Sequence, residues 1–280
     1  MFLITEKIIL TPTVSMLKIK APDVVRHAKP GQFVMLRVEE NGERIPLTIA
    51  ESNLNDQTIS VIFQIVGATT KKLNQLEKGD YLIDFAGPMG RPAKLDGLKK
   101  VCVIGGGVGC AIAYPIAKSL FEQNTVVHTI IGFRTKELVF LENEFKRISN
   151  QFYLVTDDGS YHQQGKVTDI LKSLLLKGET YDEVYAIGPL PMMKYVSLLT
   201  KEYNIKTIVS MNPVMVDGTG MCGGCRVSVG NEMKFACVDG PEFDGHLVNF
   251  DEAIKRNKMY ESFESKQYQE VCNSLKEVSK

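Results

Sequence analysis

Three cysteines in the last quarter of the chain have a spacing that could hold a metal cluster. Cys222 and Cys225 form a C-x-x-C motif, and Cys237 follows after eleven intervening residues. Asp217 stands five positions before Cys222. The pattern matches the C-x4-C-x2-C…C arrangement of plant-type 2Fe-2S clusters, with an aspartate in place of the first cysteine. The spacing therefore predicts an iron-sulfur cluster, a carrier of single electrons.

The residues around these cysteines are rich in glycine, which suits a loop around inorganic sulfide. Glycine lets the backbone curl tightly and turn its amides toward sulfur atoms. A 2Fe-2S cluster needs four protein ligands and the loop supplies three thiolates, so the carboxylate of Asp217 is the side chain at the vacant position that can bind iron. The predicted ligands are Asp217, Cys222, Cys225 and Cys237.

Three other interpretations of this loop compete with the cluster. A zinc ion could join the C-x-x-C pair to Cys237 and to either Asp217 or His246, or the pair could be a redox disulfide. Asp217 could also be a turn residue before a glycine, with water or nothing at the fourth position. Zinc sites usually present two compact ligand pairs, so a single glycine-lined loop with one distant cysteine favours the cluster.

A second glycine-rich stretch joins an apolar strand pattern to a helical pattern. Its glycines are Gly105, Gly106, Gly107 and Gly109. They would let the backbone approach a pyrophosphate at the start of the helix, although tight packing alone is the alternative. Cys110 takes the last small position of the G-x-G-x-x-G fingerprint, and Arg134 ends the next strand, where an acid would hold the ribose of NAD. An arginine could accept the 2'-phosphate of NADP or be a surface residue, so NAD and NADP both stay open.

The first 98 residues alternate short apolar runs with glycine-containing turns, which is typical of a small antiparallel barrel. Arg44 could pair with a phosphate and Thr48 could hydrogen-bond a flavin ring, while a solvated arginine is the simpler explanation. Gly67 and Thr70 lie in a glycine turn that would serve equally well as a barrel corner.

The remaining elements predict how these residues are positioned. Apolar strands alternate with helical patterns after the barrel, which indicates a parallel sheet with helices on both faces. A glycine- and cysteine-rich segment follows, too short for a core of its own, and then a charged helical tail. We expect a barrel at 1–98, an α/β nucleotide-binding domain at 99–210, a cluster-binding segment at 211–250 and a tail at 251–280, packed together.

Composition narrows the function classes. The chain has 33 basic and 33 acidic residues, which argues against nonspecific binding of nucleic acid or an anionic membrane. Glu6 and Lys7 interrupt the first apolar run before it could serve as a signal peptide, so we expect a cytoplasmic protein. The four histidines are scattered and no Ser-His-Asp set is present, so no catalytic acid, base or nucleophile is predicted.

The order of the motifs resembles the ferredoxin reductase superfamily over residues 1 to 210: Arg-x-Pro-Leu-Thr, Gly-x-x-Thr and Gly-Pro-Met-Gly in the barrel, then a strand and glycine loop. The resemblance implies FAD in the barrel and a nicotinamide cofactor in the second domain. It implies that Arg44 contacts the FAD diphosphate, Thr48 lies near the isoalloxazine, and Gly67 and Thr70 cradle phosphate. Pro46 and Leu47 replace the usual tyrosine and serine of this family. The nicotinamide side would be bordered by Asp157, Asp158, Gly188 and Met192.

The stretches D-G-T-G-M-C-G-G-C-R-V-S-V-G and F-A-C-V-D-G-P-E-F-D-G-H-L-V-N-F-D-E-A narrow the resemblance further. They are similar to the small FAD and 2Fe-2S subunit of NADH-dependent reduced ferredoxin:NADP oxidoreductase, a family also called sulfide dehydrogenase beta subunit. The electron-transfer subunit of dihydroorotate dehydrogenase, which keeps four cysteines, is a more distant relative. In the first family an aspartate is the expected ligand, so the resemblance implies that Asp217 binds iron.

The expected function is electron transfer from NAD(H) through FAD and the cluster to a partner, since a flavin must convert a hydride into single electrons. The resemblance implies a larger subunit with a second FAD and 4Fe-4S clusters, ferredoxin reached through that complex, and electron bifurcation. It also favours NAD(H) over NADP(H). The tail is a candidate partner contact or a solvated helix. The alternatives are a dihydroorotate dehydrogenase electron-transfer subunit and a zinc-stabilised nucleotide-binding redox sensor.

Overall fold

A computed structural model describes residues 1–278, with side chains up to Asn273. Its N-terminal part is a nearly closed antiparallel sheet in the order β6-β1-β2-β5-β4-β3-β7. The strands are β1 (Phe2–Thr11), β2 (Val14–Lys20), β3 (Phe33–Arg37), β4 (Arg44–Asn53), β5 (Thr58–Gln64), β6 (Tyr81–Leu82) and β7 (Asp84–Met89). Two short helices, α1 (Pro22–Val25) and α2 (Ala68–Leu73), lie between them.

Alternating apolar residues close this barrel around one core. Leu17 and Ile19 on β2 and Ile59, Val61 and Phe63 on β5 are two positions apart within each strand and all belong to the core. Successive side chains of a strand point to opposite faces, so this period of two turns one face of each strand inward.

The second part is a mostly parallel sheet in the order β11-β10-β9-β8-β12-β13-β16. Its parallel strands are β8 (Lys100–Gly106), β9 (Val126–Phe133), β10 (Gln151–Thr156), β11 (Gln163–Gln164), β12 (Glu183–Ile187) and β13 (Lys206–Ser210). The helices are α3 (Cys110–Glu122), α4 (Glu142–Arg147), α5 (Val167–Leu176) and α6 (Leu190–Glu202).

Helices cover both faces of this sheet, as β8 shows. Val101 and Val103 pack into the core that contains α3 and α4. Cys102 and Ile104, which alternate with them, pack into the core that contains α5 and α6. Since both faces are buried, the strand is a continuous apolar run. The predicted fold class, a barrel followed by a parallel α/β sheet, is confirmed.

The C-terminal part contains a hairpin, an edge strand and two helices. These are β14 (Arg226–Val229), β15 (Glu232–Phe235), β16 (Glu242–Asp244), α7 (Phe250–Asn257) and α8 (Glu261–Val278). Strand β16 pairs antiparallel with β13, so the C-terminal part adds an edge strand to the mostly parallel sheet of the second part. Helix α8 packs against α2 of the barrel. Of the expected tail, residues 279–280 lie outside the described residues.

Within residues 1–278, no helix combines the length and the apolar composition that crossing a membrane requires.

Candidate functional site

The cysteine loop begins after β13 and runs without regular structure to β14. Three of its glycines have left-handed backbone angles: φ is +79° at Gly218, +87° at Gly220 and +65° at Gly223. Residues with a Cβ rarely adopt this conformation, so glycine is required for the curl. The local shape predicted from the sequence, a tight loop with inward-turned amides, depends on these three positions.

The loop brings two of its sulfur atoms close together. The Sγ atoms of Cys225 and Cys237 are 3.2 Å apart, well beyond a disulfide bond and short enough for one metal ion to bind both. Cys222 is exposed, and its sulfur accepts a hydrogen bond from the Gly224 amide at 3.4 Å. Burial raises the pKa of Cys237 to about 12, and Cys225 beside it acts in the same direction. Iron binding would replace these thiol protons.

Asp217 is turned into the same loop. Its Oδ1 accepts a hydrogen bond from the Thr219 amide at 2.7 Å, and its Oδ2 accepts one from the Cys222 amide at 3.2 Å. The Thr219 amide, more than the Cys222 amide, holds the pKa of Asp217 below its usual range. The first of these bonds is the aspartate turn that the sequence offered as an alternative. The carboxylate is thus ionised, beside Cys222, and already used as a turn acceptor.

The donor set of this loop fits a 2Fe-2S cluster, with one rearrangement. Among residues 1–278, no three ligand-type side chains stand in a finished metal-binding arrangement. The loop nevertheless holds the thiols of Cys225 and Cys237 side by side, places the Asp217 carboxylate against the Cys222 amide, and donates amides to the sulfurs of Cys222 and Cys225. To bind iron, Asp217 would have to release its hydrogen bonds from the Thr219 and Cys222 amides. His246, the alternative zinc ligand, instead contacts Thr200 Oγ1 at 3.1 Å.

The first glycine loop is shaped by its neighbours. A Cβ at Gly105 would lie 2.8 Å from the sulfur of Cys110, and one at Gly109 would lie 2.7 Å from the Cα of Gly188. A Cβ at Gly106 would overlap Met192. Gly107 differs, since its φ is +55° and no atom would meet its Cβ within 4 Å. Packing therefore accounts for Gly105, Gly106 and Gly109, whereas a side chain at Gly107 would meet open space.

The other predicted nucleotide residues gather at the same edge of the sheet. Gly188 and Met192 meet Gly106 where β8 and β12 end. At the ends of β9 and β10, the Asp158 amide donates to the Arg134 carbonyl oxygen at 3.3 Å. Asp157, Asp158 and Arg134 are exposed. Because β8 is followed by β9 on one side and β12 on the other, the chain reverses its order there, which is where open α/β sheets bind ligands.

The predicted flavin residues lie on β4 and at the start of α2. Arg44 Nη2 lies 3.1 Å from Asp84 Oδ2, and Arg37 Nε shares that carboxylate at 2.8 Å. On β4, Pro46 pairs with Met35, Leu47 with Val34 and Thr48 with Phe33 of β3. Thr70 Oγ1 accepts the Gly67 amide at 3.0 Å and so holds the start of α2.

The cysteine loop touches the barrel at strands β3 and β7. A Cβ at Gly218 would lie 2.6 Å from the sulfur of Met89 and 2.8 Å from Cγ of Met35. Met35 is the strand partner of Pro46. Met35 therefore contacts the candidate cluster loop and is also the strand neighbour of a predicted flavin residue.

Two features of this region were not predicted from the sequence. Arg226 and Arg256 donate to carbonyl oxygens of the cysteine loop, at 2.8 Å and 3.2 Å. Arg226 directly follows Cys225, so its position was a usable signal, whereas Arg256 comes from a distant helix. Glu242 on β16 has a buried Oε1 with no hydrogen-bond partner among the described residues. Burial, with the charge of Glu183, raises the pKa of Glu242 to about 8.

Comparisons with known proteins agree with this architecture. Residues 212–249 match the model of the iron-sulfur cluster binding domain of dihydroorotate dehydrogenase B. A solved chain of an NADH-dependent reduced ferredoxin-NADP oxidoreductase is 41% identical, with a TM-score of 0.92, and the match covers 97% of this chain and 98% of that one. The cytochrome b5 reductase domain of Ulva prolifera nitrate reductase, 17% identical with a TM-score of 0.57, shares the fold over 69% of this chain and 88% of that one.

Curated relatives extend over nearly the whole chain. A dihydroorotate dehydrogenase B electron transfer subunit homolog from Thermotoga maritima is 44% identical over 92% of this chain and 91% of its own length. An uncharacterized protein from Clostridium beijerinckii is 47% identical over 97% of this chain and 94% of its own length. Fold and site define a reductase with an appended iron-sulfur segment. The chain belongs to the family of electron-transfer subunits that includes those of dihydroorotate dehydrogenase B and its homologues.

Proposed function

We propose that this chain is the flavin and iron-sulfur subunit of a ferredoxin:NAD(P)+ oxidoreductase. It uses NAD(H), FAD and a 2Fe-2S cluster. The nicotinamide supplies a hydride, FAD converts the electron pair into single electrons, and the cluster passes them on. The residues of the chain bind and orient these groups and supply no acid, base or nucleophile to the reaction.

The main support for this proposal is the contact between the cysteine loop and the barrel. Gly218 packs on Met35 and Met89, and Met35 pairs with Pro46 on the strand that offers the flavin residues. Short separation between the two candidate cofactor sites is what electron transfer needs. A zinc-stabilised sensor has no such requirement.

Each predicted residue has a role in the proposal. Arg44 would pair with the FAD diphosphate after leaving Asp84, and Gly67 and Thr70 would offer the start of α2 to phosphate. Pro46, Leu47 and Thr48 would lie beside the isoalloxazine ring of FAD. NAD(H) would bind at Gly105, Gly106, Gly107, Gly109, Arg134, Asp157, Asp158, Gly188 and Met192, and the cluster at Asp217, Cys222, Cys225 and Cys237.

The surface around the cysteine loop supports a partner subunit. Met221 is 89% exposed and Val216 58% exposed, and Met233 on β15 and Leu247 after β16 are also open to solvent. Exposed apolar residues around a redox site are typical of a protein interface. We propose that a larger FAD and 4Fe-4S subunit covers them, that ferredoxin is reached through it with bifurcation, and that the complex is cytoplasmic.

Anaerobic absorption spectra test the function. Purified chain should show flavin and 2Fe-2S bands that bleach when NADH is added. A colourless, zinc-containing protein would refute the proposal. Bleaching by dihydroorotate through a co-purified partner would instead assign the chain to a dihydroorotate dehydrogenase complex.

The role of Asp217 has its own test, because Asp217→Asn keeps the turn acceptor but loses the anionic ligand. If Asp217 binds iron, Asp217→Asn lowers the iron and sulfide content and changes the spectrum, while Asp217→Cys keeps a cluster with a shifted spectrum. Cluster content and spectrum equal to the parent's in Asp217→Asn would show that the aspartate is a turn residue alone.

A further inference from the structure

Two arginines hold the backbone of the cysteine loop from outside. Arg226 Nη1 donates to the carbonyl oxygen of Gly223 at 2.8 Å. Arg256 Nη2 donates to the carbonyl oxygen of Gly224 at 3.2 Å. Both carbonyls belong to the two residues between Cys222 and Cys225, so both guanidinium groups act on the C-x-x-C turn itself.

Because a peptide group is rigid, holding a carbonyl oxygen of this turn also fixes the direction of the next amide, including the amide that donates to the Cys222 sulfur. The described cis peptide bonds are Gly87-Pro88 and Gly240-Pro241, so the peptides on either side of Gly224 are trans. In a trans peptide the N–H points away from the C=O. An arginine that draws the Gly223 carbonyl outward therefore turns the Gly224 amide inward, where it donates to the sulfur of Cys222 at 3.4 Å. Arg256, which holds the Gly224 carbonyl oxygen, fixes the direction of the Cys225 amide by the same geometry.

Arg256 is held in place by the rest of the fold. It lies in the last turn of α7, whose first turn is capped by the side chain of Asn249. Glu252 of this helix accepts a hydrogen bond from Ser228 on β14 at 2.6 Å, and Asp251 pairs with Lys194 of α6 at 2.7 Å. Both arginines line a small cleft between β14, α6 and α7. Helix α7 thus holds the charge of Arg256 in a fixed position beside the cysteine loop.

We propose that Arg226 and Arg256 are positioning residues that raise the reduction potential of the cluster. They do so by aiming amides at the cysteine sulfurs and by adding positive charge beside the loop, and both effects favour the reduced, more negative cluster. The inference rests on the proposed cluster at this loop.

The test is the cluster's midpoint potential, measured by a redox titration followed by electron paramagnetic resonance, with iron and sulfide content determined in parallel. Arg256→Met removes the donor and the charge. We expect about a tenfold lower ratio of reduced to oxidised cluster at a fixed potential, equal to about 59 mV for one electron. Arg256→Gln keeps a donor without the charge and should give a smaller decrease.

Lys255→Met is the matched control, because Lys255 is exposed on the same helix and carries the same charge. A decrease in Lys255→Met as large as in Arg256→Met would assign the effect to net charge and overturn the proposal. An unchanged potential in Arg256→Met would overturn it too. If Arg256→Met assembles no cluster, Arg256→Gln decides: a lowered potential supports the proposal, and an unchanged potential or no cluster overturns it. Absence of a cluster in the parent would instead overturn the proposed function.

Discussion

The two glycine loops look alike in the sequence and differ in what shapes them. In the loop at 105–109, a Cβ at Gly105, Gly106 or Gly109 would meet neighbouring atoms at overlapping distance. In the cysteine loop, a Cβ at Gly223 or Gly224 would meet no atom closer than 3.6 Å. Packing of β8 against β12 and α6 thus determines the shape of the first loop. Packing does not determine the backbone at Gly223 or Gly224 of the cysteine loop.

The hydrogen bonds of Asp217 and Cys222 in the cysteine loop are local, whereas Gly224 also accepts one from Arg256 of α7. Asp217 accepts the Thr219 and Cys222 amides, and Cys222 accepts the Gly224 amide. Among the glycines of this loop, Gly218 is pressed against the barrel, and a Cβ at Gly220 would lie 3.1 Å from Val238. Hydrogen bonds between near neighbours, with few packing contacts, hold a segment weakly. We infer that this loop takes its final shape from the cluster, whereas the nucleotide loop is formed before its ligand arrives.

The largest effect should follow Gly109→Ala. The added Cβ would lie 2.7 Å from the Cα and 2.8 Å from the backbone nitrogen of Gly188, and neither backbone atom can move aside. We expect a loss of about 4 kcal/mol or more in the free energy of unfolding, or no folded protein. Urea unfolding followed by circular dichroism measures it.

Gly107→Ala is the control in the same loop. Its Cβ meets nothing within 4 Å, so only the left-handed backbone at φ +55° should cost stability, about 1 to 2 kcal/mol. Equal losses in the two variants would show that packing does not shape the nucleotide loop.

The next effect concerns Glu242, where the cysteine segment joins the sheet through β16. The folded carboxyl ionises near pH 8 and the unfolded one near its ordinary value, so the unfolded chain binds fewer protons between them. Stability should therefore fall as pH rises through this window, by about 1.4 kcal/mol per unit. Glu242→Gln should remove this slope in the pH dependence of unfolding.

The groups that face Glu242 define the control. Glu183 of β12 raises its pKa, and Glu183 is itself paired with Lys206 of β13. Glu179→Gln changes a carboxylate that pairs with Lys100 elsewhere on the sheet and should keep the slope. A slope that persists in Glu242→Gln would mean that the carboxyl is already ionised at neutral pH.

The smallest effect on stability should follow Gly224→Ala, the same change as Gly109→Ala in the other loop. Its Cβ would be 3.6 Å from the sulfur of Cys222 and from the carbonyl oxygen of Val214, which is ordinary contact. We expect less than about 1 kcal/mol in the protein freed of metal by chelation. Iron content after reconstitution should fall, because the methyl group borders the space beside sulfur.

A large loss of stability in metal-free Gly224→Ala would contradict the comparison, since it would show that packing already shapes the cysteine loop. Gly230→Ala, in the turn of the β14–β15 hairpin, is a matched glycine whose Cβ meets nothing within 4 Å. It should leave iron content unchanged.

Much of the fold was predictable because its signals are local. Alternating residues such as Ile59 and Val61 turn one face of a strand inward, and the apolar run at 101–104 buries both faces of β8. The barrel, the parallel sheet and the glycine curl of the cysteine loop therefore followed from pattern alone. The attachment of β16 to β13 did not, because Glu242–Asp244 is too short to show a period.

For the site, the sequence by itself determined the donor chemistry: three thiols and a carboxylate at a cluster-like spacing, and glycines where the backbone must be left-handed. Only the tertiary structure decided which residues meet from far apart in the chain. It placed Arg256 on Gly224, Gly218 on Met35 and Glu242 beside Glu183. Side-chain type and spacing are encoded locally, whereas these contacts depend on how helices and sheets pack, which no short stretch of sequence specifies.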